Sequence, residues 1–146
     1  MTNFMDLALQ QAKLAYQQDE VPVGAVIVEN GKVICASYNQ NITLKDPTAH
    51  AEILALRQAA LIKGSHRLDG CDIYVTLEPC PMCAAAISLA KIRRVYYGAS
   101  DAKSGGVENG ARVFNQSSCH HKPDVYCGIA QEECAQLLKD FFLTKR

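Results

Sequence analysis

Apolar side chains recur at helical spacing at the start of the chain, which predicts an amphipathic helix over residues 1–18. The positions that carry this pattern are Met5, Leu9, Ala12 and Tyr16. A different pattern follows, in which two short apolar, β-branched runs flank Asn30-Gly31. Asn-Gly between such runs is a strong signal for a β-hairpin. The chain therefore opens with a helix and then a hairpin.

Helices and strands then alternate along the rest of the chain. The pattern predicts a helix at 49–63 that stops before Gly64, a strand at 71–77, a helix at 81–90, a strand at 92–100, an irregular segment at 101–123 with a short helix near 107–114, a strand at 124–129 and a helix at 131–143. This order favours an α/β fold, a three-layer α/β/α sandwich whose central, mostly five-stranded mixed sheet carries helices on both faces. Its 146 residues are expected to form a single domain, 1–146.

The composition is typical of a folded protein. Apolar residues make up 49% of the chain, and 15 basic residues balance 15 acidic ones, so net charge indicates no particular partner. The amphipathic opening segment does not resemble a signal peptide, and no stretch is long enough to span a membrane. We therefore expect a cytoplasmic location, where the seven cysteines would be metal ligands or core residues rather than disulfides.

Two cysteines each follow a proline in TLEPCPMC, at residues 76–83. A proline disfavours helical backbone in the residue before it and is well tolerated as the first residue of a helix. Cys80 is therefore predicted to be the N-cap of a helix that begins at Pro81, with Cys83 facing it over the helix end. The partial positive charge of a helix N-terminus favours thiolates. Taken alone, the pair does not distinguish packing from a redox or metal site.

A second helix start lies in DPTAHAE, which begins at Asp46. Pro47 marks the beginning of the helix, with Asp46 or Thr48 as the expected cap. His50 and Glu52 are two residues apart, which would put them on nearly opposite faces of a helix interior. Both can therefore serve one site only if that site lies over the end of the helix.

Together the two helix starts predict a catalytic zinc site. His50, Cys80 and Cys83 offer one imidazole and two thiolates, and three protein ligands leave the fourth zinc position open, as in catalytic sites. Zinc lowers the pKa of its bound water, and Glu52 would take up the proton and deliver it to the substrate. A lone histidine or glutamate is usually an ordinary surface or core residue, so the prediction depends on the combination of both motifs.

H-x-E followed by P-C-x-x-C is the signature of zinc deaminases that act on nucleobases. Further segments resemble the bacterial tRNA-specific adenosine deaminases nearly from end to end. These segments are EVPVGAV from Glu20, Asn39, DPTAHAEILALR from Asp46, IYVTLEPCPMC from Ile73, GASDAKSG from Gly98 and EECAQLLKDFF from Glu132. The zinc motif specifies only the superfamily, whereas EVPVGAV, DPTAHAE and the D-A-K-[ST]-G loop indicate the tRNA branch.

This resemblance implies a cytidine deaminase-like fold and a homodimer with one zinc ion per subunit. It also implies hydrolysis of the wobble adenosine in a tRNA anticodon loop to inosine, with release of ammonia. The three zinc ligands and Glu52 would keep the roles given above. Asn39 would hydrogen-bond the flipped nucleotide, and Asp101 would lie near the flanking nucleotides of the anticodon loop.

The chain departs from the family pattern ahead of the last strand. Where the family often has Asn-His-Arg, this sequence has NQSSCHHKPD at residues 115–124. Cys119, His120 and His121 resemble a second metal cluster, but we expect them to be loop residues that contact RNA or pack the loop.

Basic residues are concentrated in the long loop and at the C-terminus. They are Lys103, Arg112, Lys122, Lys139, Lys145 and Arg146. Ordinary solvated surface would account for them, but we expect them to line a groove for a tRNA anticodon stem-loop, whose unstacked bases can be recognised individually. Lys103 and Lys122 are the candidates for RNA contacts.

Two other functions remain open at this stage. A free nucleobase or nucleoside deaminase, of the guanine or cytosine type, would use the same four residues. A non-catalytic, zinc-stabilised RNA-binding module would use only the three ligands. Glu52 argues against this module, because a structural site needs no unligated carboxylate beside an open coordination position.

Overall fold

A computed structural model describes residues 3–144 of the chain. Its helices and strands are, in order, α1 Phe4–Gln17, β1 Gly24–Glu29, β2 Lys32–Tyr38, α2 Ala51–Lys63, β3 Cys71–Leu77, α3 Pro81–Leu89, β4 Arg94–Ala99, a 3₁₀ turn Val113–Asn115, β5 Asp124–Tyr126 and α4 Gln131–Thr144. The predicted order of elements is confirmed. Residues 1 and 2 of the predicted first helix lie outside the described residues.

The five strands form one mixed sheet in the order β2-β1-β3-β4-β5. β1 is antiparallel to β2 and β3, whereas β3, β4 and β5 are parallel to one another. Asn30 and Gly31 both have positive φ, at 51° and 76°, which is the backbone that a two-residue hairpin turn requires. The sequence signal for the hairpin is therefore confirmed at its turn.

Helices cover both faces of this sheet, as predicted. α1 and α4 pack on one face, where Met5, Ala8 and Leu9 meet Cys134 in one apolar cluster. α2 and α3 lie on the other face, where their alanines and Ile87 pack against Ile73, Val75 and Val95. Burial of each large aliphatic side chain contributes about 1.5–3 kcal/mol to stability. These two cores define the three-layer α/β/α sandwich.

The short helix predicted near residues 107–114 is wrong. The structure has only the 3₁₀ turn at Val113–Asn115, and the backbone N–H groups of residues 107–109 donate to the carboxylate of Glu78. A helix cannot form there because the backbone is left-handed at Gly110 and Arg112, where φ is 59° and 44°. The strand predicted at 124–129 is also shorter, and the backbone turns away from the sheet at Gly128, where φ is 77°.

One edge of the sheet brings the two helix starts together. β3 and β4 are parallel and in register at Leu77 and Ala99, so the segments that follow them leave from the same edge. The end of β2, at Tyr38, lies beside the start of β1 at that edge. Ligand sites in open α/β sheets form beyond the carboxyl ends of parallel strands. No helix within residues 3–144 is long and apolar enough to cross a membrane.

Candidate active site and metal centre

Helix α3 begins as the sequence predicts. Cys80 is the N-cap, with extended backbone at φ −70° and ψ 171°, and Pro81 is the first helical residue. The Cys80 side chain makes no capping hydrogen bond with the helix, and its carbonyl accepts the first intrahelical bond, from the N–H of Ala84 at 2.9 Å. Cys83 lies one turn into the helix and is fully buried. Both thiols therefore point to one place at the helix end.

Helix α2 begins two residues later than predicted, at Ala51, so that His50 is its N-cap. The expected cap, Asp46 or Thr48, is wrong because these two residues form a local turn with the proline between them. The Asp46 carboxylate accepts hydrogen bonds there from the N–H of Thr48, at 2.9 Å, and from its hydroxyl, at 2.8 Å. The helix is capped instead by Asn39, whose Oδ1 accepts the N–H of Ala51 at 2.7 Å.

The imidazole of His50 and the thiols of Cys80 and Cys83 meet in front of the two helix ends. The His50 Nδ1 lies 3.6 Å from the Cys80 Sγ and 3.4 Å from the Cys83 Sγ. Zn–S bonds of ~2.3 Å and Zn–N bonds of ~2.0–2.1 Å at a tetrahedral angle separate N and S by about 3.5 Å. Within residues 3–144, this is the one group of three or more His, Cys, Asp or Glu that could hold a metal ion. The three residues therefore fit zinc.

The two thiols share one proton between them. The hydrogen bond from Cys83 and the contact with His50 together lower the pKa of Cys80 to about 4, although burial opposes this. The same bond to Cys80, together with burial, raises the pKa of Cys83. Metal binding requires both thiolates, so a zinc ion has to displace the proton of Cys83.

Glu52 lies in the first turn of α2, only 4% exposed, and is not one of the three ligands. Burial raises the pKa of its carboxyl to about 7, and the nearby imidazole of His50 opposes this rise. Glu52 lines the same cavity as His50 and Cys80. Its carboxyl is thus placed to exchange protons with a molecule in that cavity.

The cavity at this sheet edge has a volume of about 220 Å³. Val21, Val23 and Leu77 supply apolar wall, and the other lining residues bring polar or ionisable groups, as sites for small organic ligands combine both. The lining residues include Val21, Val23, Asn39, His50, Glu52, Leu77, Glu78, Cys80, Asp101 and Ser104. The structure therefore brings Asn39 and Asp101, two of the predicted substrate-binding residues, to the same cavity as the metal ligands.

Two buried carboxylates near the cavity were missed by the sequence reasoning. Glu20 accepts hydrogen bonds from the N–H groups of Ile42 and Thr43, and so fixes the segment between β2 and α2. Glu78 does the same for the segment after β4. Burial raises its pKa, but hydrogen bonds from the N–H groups of Asp101 and Asn109 outweigh this and lower the pKa overall. The available signal was an acidic residue beside a strand end in EVPVGAV and TLEPC.

The two lysines predicted to contact RNA lie apart from each other. Lys103 is exposed in the turn after Asp101, whose side chain accepts a hydrogen bond from the Lys103 N–H at 3.1 Å. Lys122 donates to the Asn115 side chain at 3.0 Å and lines, with Arg112, a separate groove of about 430 Å³.

Of the three other cations of the predicted groove, the structure describes Lys139. Lys139 is exposed on α4. Lys145 and Arg146, which the sequence assigned to the same groove, lie outside the described residues.

The Cys119-His120-His121 segment packs against α3 and the residues that follow it. The Cys119 thiol lies 3.3 Å from the Ser88 hydroxyl, and the His121 Nε2 lies 2.7 Å from the carbonyl oxygen of Ile92. Cys119 and His121 therefore pack the loop, one of the two roles expected for them. Among the described residues, these side chains do not form a second metal cluster.

Residues 1–99 match the cytidine and deoxycytidylate deaminase zinc-binding region, and the chain belongs to this family of zinc deaminases. Within the family, its sequence falls among the tRNA-specific adenosine deaminases. It is 57% identical to the tRNA-specific adenosine deaminase of Agrobacterium fabrum, over 99% of this chain and 95% of that protein. The family and its zinc cofactor, both predicted from the sequence, are confirmed.

Solved structures agree with this assignment. One, from a study of A-to-I editing by tRNA deaminases at the wobble position of transfer RNA, superposes with a TM-score of 0.91 at 58% identity. The match covers 92% of this chain and 98% of that chain. The guanine deaminase of Bacillus subtilis is more distant, with a TM-score of 0.66 at 28% identity over 100% of this chain and 98% of that one. The predicted cytidine deaminase-like fold is confirmed.

Proposed function

We propose that this protein converts the wobble adenosine of a tRNA anticodon to inosine by zinc-dependent hydrolysis, with release of ammonia. One observation carries the proposal: a His-Cys-Cys ligand set meets at a small cavity that a buried glutamate also lines, in a chain closely related to tRNA-specific adenosine deaminases. The cavity is smaller than the roughly 300–1,000 Å³ of sites for drug-sized ligands, which suits a single base. A base must leave its stack to enter such a site.

His50, Cys80 and Cys83 would hold the zinc, and Glu52 would move the protons. When bound, zinc supplies a Lewis acid that lowers the pKa of a coordinated water. The Glu52 carboxylate would accept the proton of the water that attacks the adenine ring and deliver it to the departing amine nitrogen. The proton and the amine would then leave together as ammonia, and the hydroxyl of the water would remain on the ring to give inosine.

Asn39 and Asp101 would orient the base from the walls of the cavity. The Oδ1 of Asn39 is used by the Ala51 N–H, so its amide Nδ2 is the group left to donate to a substrate acceptor. The Asp101 Oδ1 accepts from Lys103 and Ser104, which holds this turn beside the cavity. Both residues would therefore act from fixed positions.

We expect the zinc-loaded protein to release ammonia from an anticodon stem-loop, with a KM that rises steeply as salt is added. Phosphate contacts supply affinity that falls as salt increases. Free adenosine, guanine and cytosine are expected to give little or no ammonia in the same assay. Rapid, salt-insensitive turnover of a free base would instead support the small-molecule deaminase.

Lys103→Ala and Lys122→Ala are each expected to weaken stem-loop binding while zinc content stays unchanged. Each exposed ammonium would contact phosphate, so its removal should also make the salt dependence shallower, by about one unit of slope. Lys13→Ala, on α1, provides a matched control. Binding titrations over a range of salt concentrations provide the measurement, and unchanged slopes in both variants would contradict the RNA contacts.

We also propose that two copies pair through an apolar surface formed by α2 and α3. Leu61 and Leu89 are 84% and 75% exposed, and Leu89 lies in an apolar groove with Ile53 and Leu56. Large exposed apolar patches mark interaction sites. Sedimentation should give twice the 15.9 kDa of one chain.

Leu89→Glu is expected to give monomers in the same experiment. Leu143→Glu, at an equally exposed position on α4, should leave the dimer intact. A wild-type monomer at micromolar concentration would contradict the pairing.

A further inference from the structure

Glu78 is the most heavily hydrogen-bonded buried side chain near the cavity. It follows the end of β3, is only 2% exposed, and its carboxylate accepts five hydrogen bonds. Oε1 accepts the N–H of Asp101 at 3.0 Å and the Asn109 side chain at 2.7 Å. Oε2 accepts the N–H groups of Val107, Glu108 and Asn109 at 2.9–3.1 Å.

All five donors belong to residues 101–110, which we call the substrate loop. This loop contains no helix or strand, so its own backbone bonds cannot fix its position. The N–H of Gly106 donates to the Pro79 carbonyl at 2.8 Å, directly after Glu78. A Cβ at Gly105 would lie 2.5 Å from the Glu78 carboxylate, and one at Gly106 would lie 2.5 Å from the Pro81 nitrogen. The loop therefore packs against Glu78 and the start of α3 with no spare space.

Glu78 joins the substrate loop to the segment that carries the metal ligand Cys80. Asp101 and Ser104 of the loop line the cavity, and Glu78 itself lines it. Two residues after Glu78 comes Cys80, the N-cap of α3 and a metal ligand. A shift of the loop relative to Glu78 would therefore change the distance between the cavity wall and the metal centre.

We propose that Glu78 is a positioning residue that fixes the substrate loop against the start of α3 and thereby sets the fit of the cavity to the substrate base. The proposal rests on the proposed function, because the base is the molecule whose fit is set. Glu78 acts through the loop rather than on the reacting atoms. Its loss should therefore weaken substrate binding more than it slows the chemical step.

Glu78→Gln tests this with almost no change of shape. An amide offers one acceptor oxygen and one N–H₂ group in place of two acceptors. Depending on how the amide is turned, either the Asp101 N–H or the three N–H groups of residues 107–109 face another donor and lose their partner. Every bond that remains is to a neutral oxygen and is weaker than the bond to a carboxylate. We expect backbone amides of residues 107–109 to exchange with solvent at least about tenfold faster, since they then open locally. Zinc content should remain at one ion per chain.

The kinetic expectation is a KM for the stem-loop raised at least about tenfold, with kcat within about threefold of wild type. Val95→Ala is the matched control, because it removes buried volume from β4 at a residue outside the cavity lining. This control should lower the melting temperature but leave KM and the exchange of residues 107–109 unchanged. If Glu78→Gln only lowered the overall stability, its KM and its amide exchange at residues 107–109 would instead resemble those of the control.

Asn109→Ala provides a second, milder variant if Glu78→Gln folds poorly. It removes one of the five donors, so its amide exchange and KM should change in the same direction but by less. Unchanged exchange and unchanged KM in both variants would overturn the proposal, as would a fall in kcat with KM unaltered. Amide exchange needs no substrate, so it tests Glu78 even if the wild-type protein proves inactive on the stem-loop. That inactivity would count against the proposed function alone.

Discussion

Replacing Glu52 with alanine is expected to abolish nearly all deamination while the protein keeps its zinc and its fold. The carboxyl is buried at the cavity, beside the ligand set but not part of it. Removal of a general acid/base group costs roughly 10²–10⁴-fold in rate, and the loss here should be at least that large because one group is assigned both proton transfers. Single-turnover rates on a stem-loop, with zinc measured by metal analysis, provide the measurement.

Glu132→Ala is the control for this experiment. It removes a carboxylate of the same type from an exposed position at the start of α4, outside the cavity lining. Its activity should equal that of the wild type. A Glu52→Ala protein that retains activity within tenfold of the wild type would show that protons move by another route.

The second large effect is expected from Cys83→Ala, which should lose zinc and lower the melting temperature by more than about 4 °C. Cys83 is fully buried behind the cavity, and its Sγ lies 3.4 Å from the His50 Nδ1. A metal that binds only the folded chain stabilises it, so the loss of a ligand removes that stabilisation. Cys80→Ala is expected to behave in the same way.

Cys35→Ala and Cys134→Ala provide matched controls, because both thiols are also buried. The Cys35 thiol donates to the Ala55 carbonyl at 3.2 Å, and Cys134 packs in the apolar cluster under α1. Both variants should keep full zinc. A chelator should lower the melting temperature of the wild type and of these controls, but not that of Cys83→Ala. Loss of zinc from either control would contradict the three-ligand site.

The elements with strong local signals were predictable from sequence. The Asn30-Gly31 turn, the Pro81 helix start and the alternation of helices and strands each depend on residues close together in the chain. The helix starts that carry His50 and Cys80 are local in the same sense, because each motif forms its own helix end. Only the meeting of these ends in space depends on the pairing of β1 with β2 and with β3, which puts the ends of β2 and β3 at one edge of the sheet.

What could not be predicted depends on contacts between residues far apart in the chain. Asn39 caps α2 from 12 residues away, so no local pattern could show that the helix begins at Ala51. Glu78 accepts the N–H groups of residues 107–109 from 29–31 positions away, so no local pattern could show how this loop is held. A buried carboxylate that fixes a loop leaves no periodic pattern in the sequence. Its role becomes visible only when the structure shows which N–H groups it accepts.

The most direct test of the proposed activity is to incubate the zinc-loaded protein with an anticodon stem-loop that has a single loop adenosine at the wobble position, and to measure inosine in the digested RNA. A second stem-loop, with its single adenosine moved to a neighbouring loop position, is the matched control. We expect inosine from the first RNA and little from the second, because the cavity accepts one base and the flanking nucleotides set which base enters. Absence of inosine from the wobble stem-loop, with full zinc and an intact fold, would contradict the account.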